Sequence, residues 1–478
     1  MKKIKILLPA IICLLVFLLY SYKLKQSLFY HPDFARDAHE ILRISQGKIV
    51  WLGPKLTFGG LYLGPYYFYL FVPAYLLSGR QLISLHFFNA FLFILAVGYF
   101  FVRSAKKFKF IQRLSAGLVL ALSTLFLIGS RNPSNAYSFI PLFLFLLTEV
   151  YFFNSKNDLW LGFLGFLYGV VVNFHFIIFI FFPGLIIYFW KITKEKKRLR
   201  IFLLGLILSF LPLAIFELTH HFVMLKNTFI DKSYLKWVNN TNIPGGLSGK
   251  KNVLANIWFL SESMKSYVLI NPLFIYFILG IIFHFRKPDC KIKIIYLNSL
   301  LTLLLAAVIL RFQFIPHYLF GLAFYLFFNL IFIFLSFKNN LLSMIFFSLM
   351  IAFQLFYFPK TLYQPSWRTP ERFEKAVDFV IKNKLVSPTN FNIIQITKQN
   401  LLATIGYEYR YFFRKAGYIA DSEFLYSQSK ELIVFSEIPY QDISQFDSWE
   451  AEQFGKQYFP SAKKYSLPGI TIYKIVKK

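Results

Sequence analysis

Asp33, Arg36, Asp37 and Glu40 stand three and four residues apart within FYHPDFARDAHEILRISQGKIVWLGPKLTFGGLYLGP, residues 29–65. On a helix, that spacing gathers three acids and a guanidinium on one face. Phe34, Ala38, Ile41 and Leu42 fall on the other. The expected element is an amphipathic helix lying flat on a membrane, its carboxylates turned to water or to a cavity. A carboxylate held there can take up a proton. Asp33 follows Pro32 and is expected to be the N-cap. The plainer reading is that Asp33 and Asp37 only cap and charge a helix start. What decides between the two is where the chain puts its other rare polar groups.

Composition sets the class. The chain is 57% hydrophobic, 21% aromatic and 15% charged, with 62 Phe and 30 Tyr, far more than a soluble core of this size needs. It reads as a polytopic α-helical membrane protein. A net charge of +30 would suit nucleic acid if the bases formed one patch, but they lie in short loops between apolar runs, which argues against that partner. Cys13 sits in an apolar run and Cys290 in a basic loop, so there is no disulfide framework. The N-terminus has the charge and hydrophobicity of a signal peptide, yet no small-x-small site follows, so an uncleaved first span is expected.

Eleven apolar segments are expected to cross the membrane: 6–22, 83–102, 112–129, 136–153, 159–174, 176–190, 201–217, 271–285, 294–310, 318–336 and 341–358. The run 66–78 is short, contains Pro73 and reads as a re-entrant or interfacial helix. With that choice Lys2, Lys3 and Lys5, the cluster Arg103–Arg113, the run Lys191–Arg200 and the run Arg286–Lys293 all fall on the cytoplasmic side. The opposite side then holds the first outer loop 23–82, the turn 129–135, the loop 218–270 and the tail 359–478. Two domains are expected, a membrane domain over 1–358 and a small extracytoplasmic α/β domain over 359–478. In the latter, residues 390–397, 431–436 and 469–476 have strand character, and RFEKAVDFVIKN and LLATIGYEYRYFFRKAG have helical spacing.

The rare polar residues near the span ends share a side in this topology. Arg131 and Asn132 end the third span, and Asn173 and His175 the fifth. Glu217, His220 and His221 end the seventh, and Arg311 and His317 flank the turn between the ninth and tenth. Interfacial solvation accounts for each singly; together they indicate an outward-facing cavity level with the Asp33 helix. Glu149, near the other end of the fourth span, is expected to be structural. No nucleotide-binding glycine loop, HExxH or CxxC pair is present, and the adjacent His220 and His221 point apart on a helix, so no metal site is expected.

A basic N-terminus, one span and then an outer loop with a D-x-x-R motif resemble the GT-C glycosyltransferases, in particular the bacterial branch related to protein O-mannosyltransferases and the lipid A aminoarabinose transferase. PDFARDAHEILRISQGK carries the specific part of the likeness; LGPKLTFGGLYLGPYYFYLFVPAYLLSG, RNPSN, NFHF, LPLAIFEL and PHYLFGL carry looser parts. The resemblance implies a polyprenyl-phosphate sugar donor, transfer to a lipid, glycan or protein acceptor outside the cytoplasmic membrane, and Asp33 as the catalytic aspartate. Family members often have Asp-Glu where this chain has Asp33-Phe34, leaving Asp37 or Glu40 to supply a second carboxylate. They also tend to carry a charged residue before the second-half proline, where this chain reads Leu63-Gly64-Pro65. A divalent cation is not required by the sequence.

The chemistry is consistent with the resemblance. An acceptor hydroxyl must lose its proton to a carboxylate as the bond forms, and a single displacement inverts the anomeric centre. The leaving phosphate needs cationic donors. Arg131, Arg311 and Arg36 are the candidates, with His317 beyond Arg311, Lys55 in reserve, and His175, Glu217 and Glu40 among the substrate-facing groups. Arg131 and Arg311 could equally snorkel to headgroups. The rivals are a transporter or flippase of lipid-linked glycans, and a ligase or polymerase of them. A transporter is expected to show discontinuous spans, midplane charges and similar halves, none of which is visible in the sequence.

Overall fold

The computed structural model describes residues 4–56, 60–153, 157–193, 195–232, 246–285, 288–337, 340–397, 404–438 and 442–477. Lys2, Lys3, Lys194, Arg286 and Lys287, which fall in the basic runs weighed above, lie outside the described residues. The chain packs as two compact units: residues 1–22, 50–74 and 83–362 form the first, and residues 23–49, 75–82 and 363–478 the second. The stretch 23–82 is therefore divided, its beginning and end belonging with the tail and its middle with the helices of the first unit.

The first unit is helical. Among the described residues, four helices are long and apolar enough to cross a membrane: Leu7–Ser27, Ile83–Lys106, Cys290–Ile309 and Tyr318–Leu335. Three bent pairs raise the number to seven if each is one span: Phe110–Leu122 with Thr124–Arg131, Lys196–Leu208 with Leu211–Thr219, and Val253–Val268 with Pro272–Phe285, bent by 57°, 51° and 105°. Each of the eleven apolar segments falls on helix, but several are too short by themselves, so length and composition support four to seven spans. The bends also correct the expectation of unbroken spans. At the first, Ser123 leaves helical geometry and its hydroxyl accepts the Phe126 N–H at 3.2 Å, starting the second half-helix.

Two features fix the packing. Tyr318–Leu335 is apolar around its whole circumference and almost wholly buried, as a central helix must be. Helices Asp158–Val172 and Lys196–Leu208 meet at glycines: a Cβ on Gly165 would stand 1.9 Å from Phe202 O, and one on Gly205 1.9 Å from Gly162 O. Only glycine permits that approach. Glu149 is a node, bonded by Arg103 Nε at 2.6 Å, by Trp160 Nε1 at 3.1 Å and by the Tyr99 hydroxyl.

The second unit holds a four-stranded sheet. Phe391–Ile396 runs parallel to Glu431–Ser436; Ile470–Val476 lies antiparallel beside the latter, and Lys463–Leu467 closes the edge. One side is filled by Ile394, Leu432, Val434, Phe454 and Phe459. On the other, Tyr409 of helix Tyr407–Lys415 stacks on Phe435 at 3.7 Å and meets Phe373 of helix Pro370–Lys382 edge-on at 5.0 Å. Cover on both faces explains why Phe391–Ile396 and Glu431–Ser436 are buried along almost their whole length. The edge strand KKYSL carries two exposed lysines and no such run, and the sequence pattern passes over it.

Candidate active site

The acidic motif lies on helix Pro32–Ser45 of the second unit. Its cap is His31, not Asp33: His31 Nδ1 accepts the Phe34 N–H at 3.3 Å, Pro32 takes the first helical position and Asp33 the second. Phe34, Ala35, Ala38, Ile41 and Leu42 are buried, and the helix packs against Tyr407–Lys415. Protein covers the apolar face, which corrects the expectation of a helix laid flat on lipid.

Arg36 ties the two aspartates together. Its Nη1 donates to Asp33 Oδ1 at 3.1 Å, while Nε and Nη2 donate to Asp37 Oδ1 at 3.0 and 2.8 Å. The carboxylates differ in access: the Asp33 side chain is 68% exposed and that of Asp37 0%. Asp37 Oδ2 has no hydrogen-bond partner among the described residues. Burial pushes the Asp37 carboxyl up to about 7, although Arg36 pulls the other way. For Arg36, burial opposes the charge, but Asp37 and Asp33 outweigh it and hold the guanidinium above its ordinary value. Glu40 faces its own partners, Arg43 Nη1 at 2.8 Å and His39 Nδ1 at 3.3 Å. Burial would raise its value, yet these contacts keep it below the usual range.

In the first unit, four motifs far apart in sequence meet. Gly53 N–H donates to Leu63 O at 2.7 Å and Leu63 N–H to Pro54 O at 3.0 Å, folding residues 53–64 back on themselves. Gly64 N–H then donates to Asn173 Oδ1 at 2.9 Å, and a Cβ on Gly64 would stand 2.5 Å from that oxygen. Asn173 Nδ2 donates to Gly169 O at 2.8 Å. Tyr67 OH donates to Pro133 O at 2.6 Å, and Asn135 Nδ2 to Phe174 O at 3.0 Å. The His175 ring stands edge-on to His317 at 5.5 Å and to Tyr318 at 5.0 Å. LGPYY, RNPSN, NFHF and PHYLFGL thus form one neighbourhood. His175 is buried, and its Nδ1 has no hydrogen-bond partner among the described residues.

The remaining candidates hold structure or stand outward. Buried Arg131 donates from Nη1 to Tyr20 O at 2.6 Å and Tyr22 O at 3.0 Å, placing its charge at the C-terminal end of the first helix. Glu217 accepts the backbone N–H groups of Met224 and Leu225 at 2.9 and 3.0 Å. Arg311 is exposed, its Nε donating to Val308 O at 3.1 Å. Lys55 pairs through its backbone with Tyr62. Among the described residues, no three His, Cys, Asp or Glu side chains are grouped to hold a metal ion. One cluster has no signature in the sequence: Arg368, Glu408, Glu437 and Gln395 meet in the core of the second unit, from segments with no regular spacing.

No family model matches the chain, and comparison with curated proteins gives no match. Solved structures do match. The crystal structure of ArnT from Cupriavidus metallidurans bound to undecaprenyl phosphate is similar to this chain with a TM-score of 0.59 at 12% identity, covering 98% of this chain and 97% of that one. The apo structure of the same enzyme gives 0.57 at 11% identity, with 98% and 97% covered. The likeness covers nearly the whole of both chains, and at this identity it is a likeness of fold: this chain has an ArnT-like fold, with four to seven spans' worth of helix, among the described residues, long and apolar enough to cross a membrane.

Proposed function

We propose that the chain transfers a hexosyl or pentosyl group from a polyprenyl-phosphate donor to a lipid, glycan or protein acceptor on the outer face of the cytoplasmic membrane, with inversion. The observation that carries this reading is the Asp33–Arg36–Asp37 arrangement on a chain with this fold. Asp33 is the accessible carboxylate and serves as general base; Arg36 orients it; Asp37, buried on the far side of Arg36, fixes the guanidinium. Undecaprenyl phosphate bound to the similar ArnT supports a polyprenyl-phosphate donor here. The donor phosphate is assigned to Arg311 and to the His175–His317 neighbourhood. Arg131 is the weaker candidate because two carbonyls already engage its Nη1. In this reading the N-terminus is cytoplasmic and residues 359–478 are extracytoplasmic.

The test is transfer by the purified chain in nanodiscs from a pool of undecaprenyl-phosphate hexoses and pentoses, compared with Asp33→Asn. Consumption of donor by the wild type and its loss in the variant is the expected result. Full turnover by Asp33→Asn removes Asp33 as base. The three bent helix pairs favour one second reading, movement of a lipid-linked glycan across the bilayer. Movement of labelled undecaprenyl-phosphate sugar between leaflets without chemical change would establish that reading instead.

A further inference from the structure

Arg368 is wholly buried and touches three elements at once. Its Nη1 donates to Glu437 Oε1 at 2.5 Å, just beyond strand Glu431–Ser436, and its Nη2 donates to Glu408 on helix Tyr407–Lys415. Its Nε donates to Tyr30 O at 3.2 Å. The return bond runs through the backbone, Tyr30 N–H to Arg368 O at 2.7 Å, and Ser366 N–H donates to Gln26 O at 2.8 Å, so residues 26–30 are laced to residues 366–368. Gln395 on the parallel strand completes the cluster, its Nε2 donating to Glu437 Oε1 at 2.9 Å. The charges are two carboxylates against Arg368 and Arg372, whose Nη1 is 3.9 Å from Glu437 Oε2.

What this cluster holds is the approach to the acidic motif. Tyr30 lies three residues before Asp33, and its buried ring meets Phe34, Phe373 and Phe412 at 5.9, 5.4 and 5.9 Å. Pro32 then fixes the next step into the helix. A buried ion cluster gives little stability beyond that of apolar side chains of equal volume. A guanidinium does offer direction: its planar fork fixes several acceptors at set angles, which an ammonium cannot do.

We propose that Arg368 is a positioning residue, which sets the start of the Pro32–Ser45 helix and hence the placement of Asp33 through the fork it makes with Glu408, Glu437 and the Tyr30 carbonyl. The residues 363–478 are on this view the platform of the active-site helix. The proposal rests on the reading of Asp33 as base, and its test has one arm that does not.

The experiment compares full-length wild type, Arg368→Ala and Arg368→Lys in nanodiscs by hydrogen exchange, by affinity for undecaprenyl phosphate, and by turnover of the undecaprenyl-phosphate sugar pool. Arg368→Ala is expected to speed exchange over residues 28–38 by about tenfold or more while strands 391–396 and 431–436 stay protected. It should lower kcat by at least about tenfold with undecaprenyl-phosphate affinity unchanged, and Arg368→Lys should recover part of both. Unchanged exchange over 28–38 overturns the proposal. So does equal loosening of the strands, which would make Arg368 a general stabiliser, or an unchanged kcat beside a loosened helix. If Arg368→Ala does not yield folded protein, Glu437→Gln, which keeps an acceptor oxygen, is read by the same three measurements. Should Asp33→Asn retain turnover, the base assignment falls and the exchange arm alone decides the positioning role.

Discussion

The helix Pro32–Ser45 and the neighbourhood of Asn173, His175 and His317 build sites in opposite ways. On the helix, Asp33, Arg36 and Asp37 interact within five consecutive residues; periodicity brings Arg36 to Asp33, while burial of Asp37 beside Arg36 depends on the packing of the helix. Around Asn173 the decisive contacts join Gly64 to Asn173 and Tyr67 to Pro133, across separations of 109 and 66 residues, and most of the acceptors are backbone carbonyls. The first arrangement presents an accessible charge, as proton transfer requires. The second locks loops and helix ends into a fixed rim. On the proposed reading, charge on a local element serves chemistry, and amides and hydroxyls between distant segments serve placement.

The sharpest way to break this contrast is at Asp33. Asp33→Asn should lower transfer by roughly 10²–10⁴-fold, the worth of a general base, with thermal stability nearly unchanged because the side chain is exposed. A comparable loss of melting temperature would mean that Asp33 belongs to the structural class. Next is Asp37→Asn, expected to cost about 10–100-fold in kcat, the range of one positioned charged contact.

Asp37 also sharpens the contrast through pH. Its folded value, about 7, lies above the unfolded 3.8. Whatever stability it contributes is therefore fully present below pH 3.8 and is lost as pH rises through 7, because the folded state binds more protons in that window. Burial likewise pushes Glu408 from 4.5 up to about 7, so its window runs between those values. Unfolding midpoints measured from pH 4 to 8 should fall more steeply for wild type than for Asp37→Asn. Parallel curves would show that Asp37 keeps an ordinary value.

Asn173→Ala tests the other site. It leaves the Gly64 N–H and the Gly169 carbonyl without this side chain, at a cost of roughly 1–3 kcal/mol. The expected signature is a lower melting temperature with kcat of the surviving folded enzyme reduced less than in Asp37→Asn. The smallest effect is expected at Glu217, where Glu217→Gln keeps one acceptor and should cost about 1 kcal/mol, with faster exchange confined to residues 223–230. A loss of undecaprenyl-phosphate affinity in that variant would move Glu217 from capping to binding.

Some of the molecule was legible in the residues alone. The long apolar runs read as helices, and each falls on helix in the structure. The period of the Asp33 motif required a helix with its acids together, and the short, largely apolar runs at 391–396 and 431–436 had strand length and character. Other features rested on contacts that no local pattern encodes. His31 rather than Asp33 caps the helix because the chain enters in an extended conformation at His31. Protein rather than lipid covers the apolar face of that helix because Tyr407–Lys415 folds back onto it. Arg131 is held by carbonyls of the first helix, and Arg368 joins Tyr30 across 338 residues. Periodicity reports which face of an element is apolar; which partner fills it, and whether a charge beside it is exposed or buried, depends on segments that meet only when the whole chain has folded.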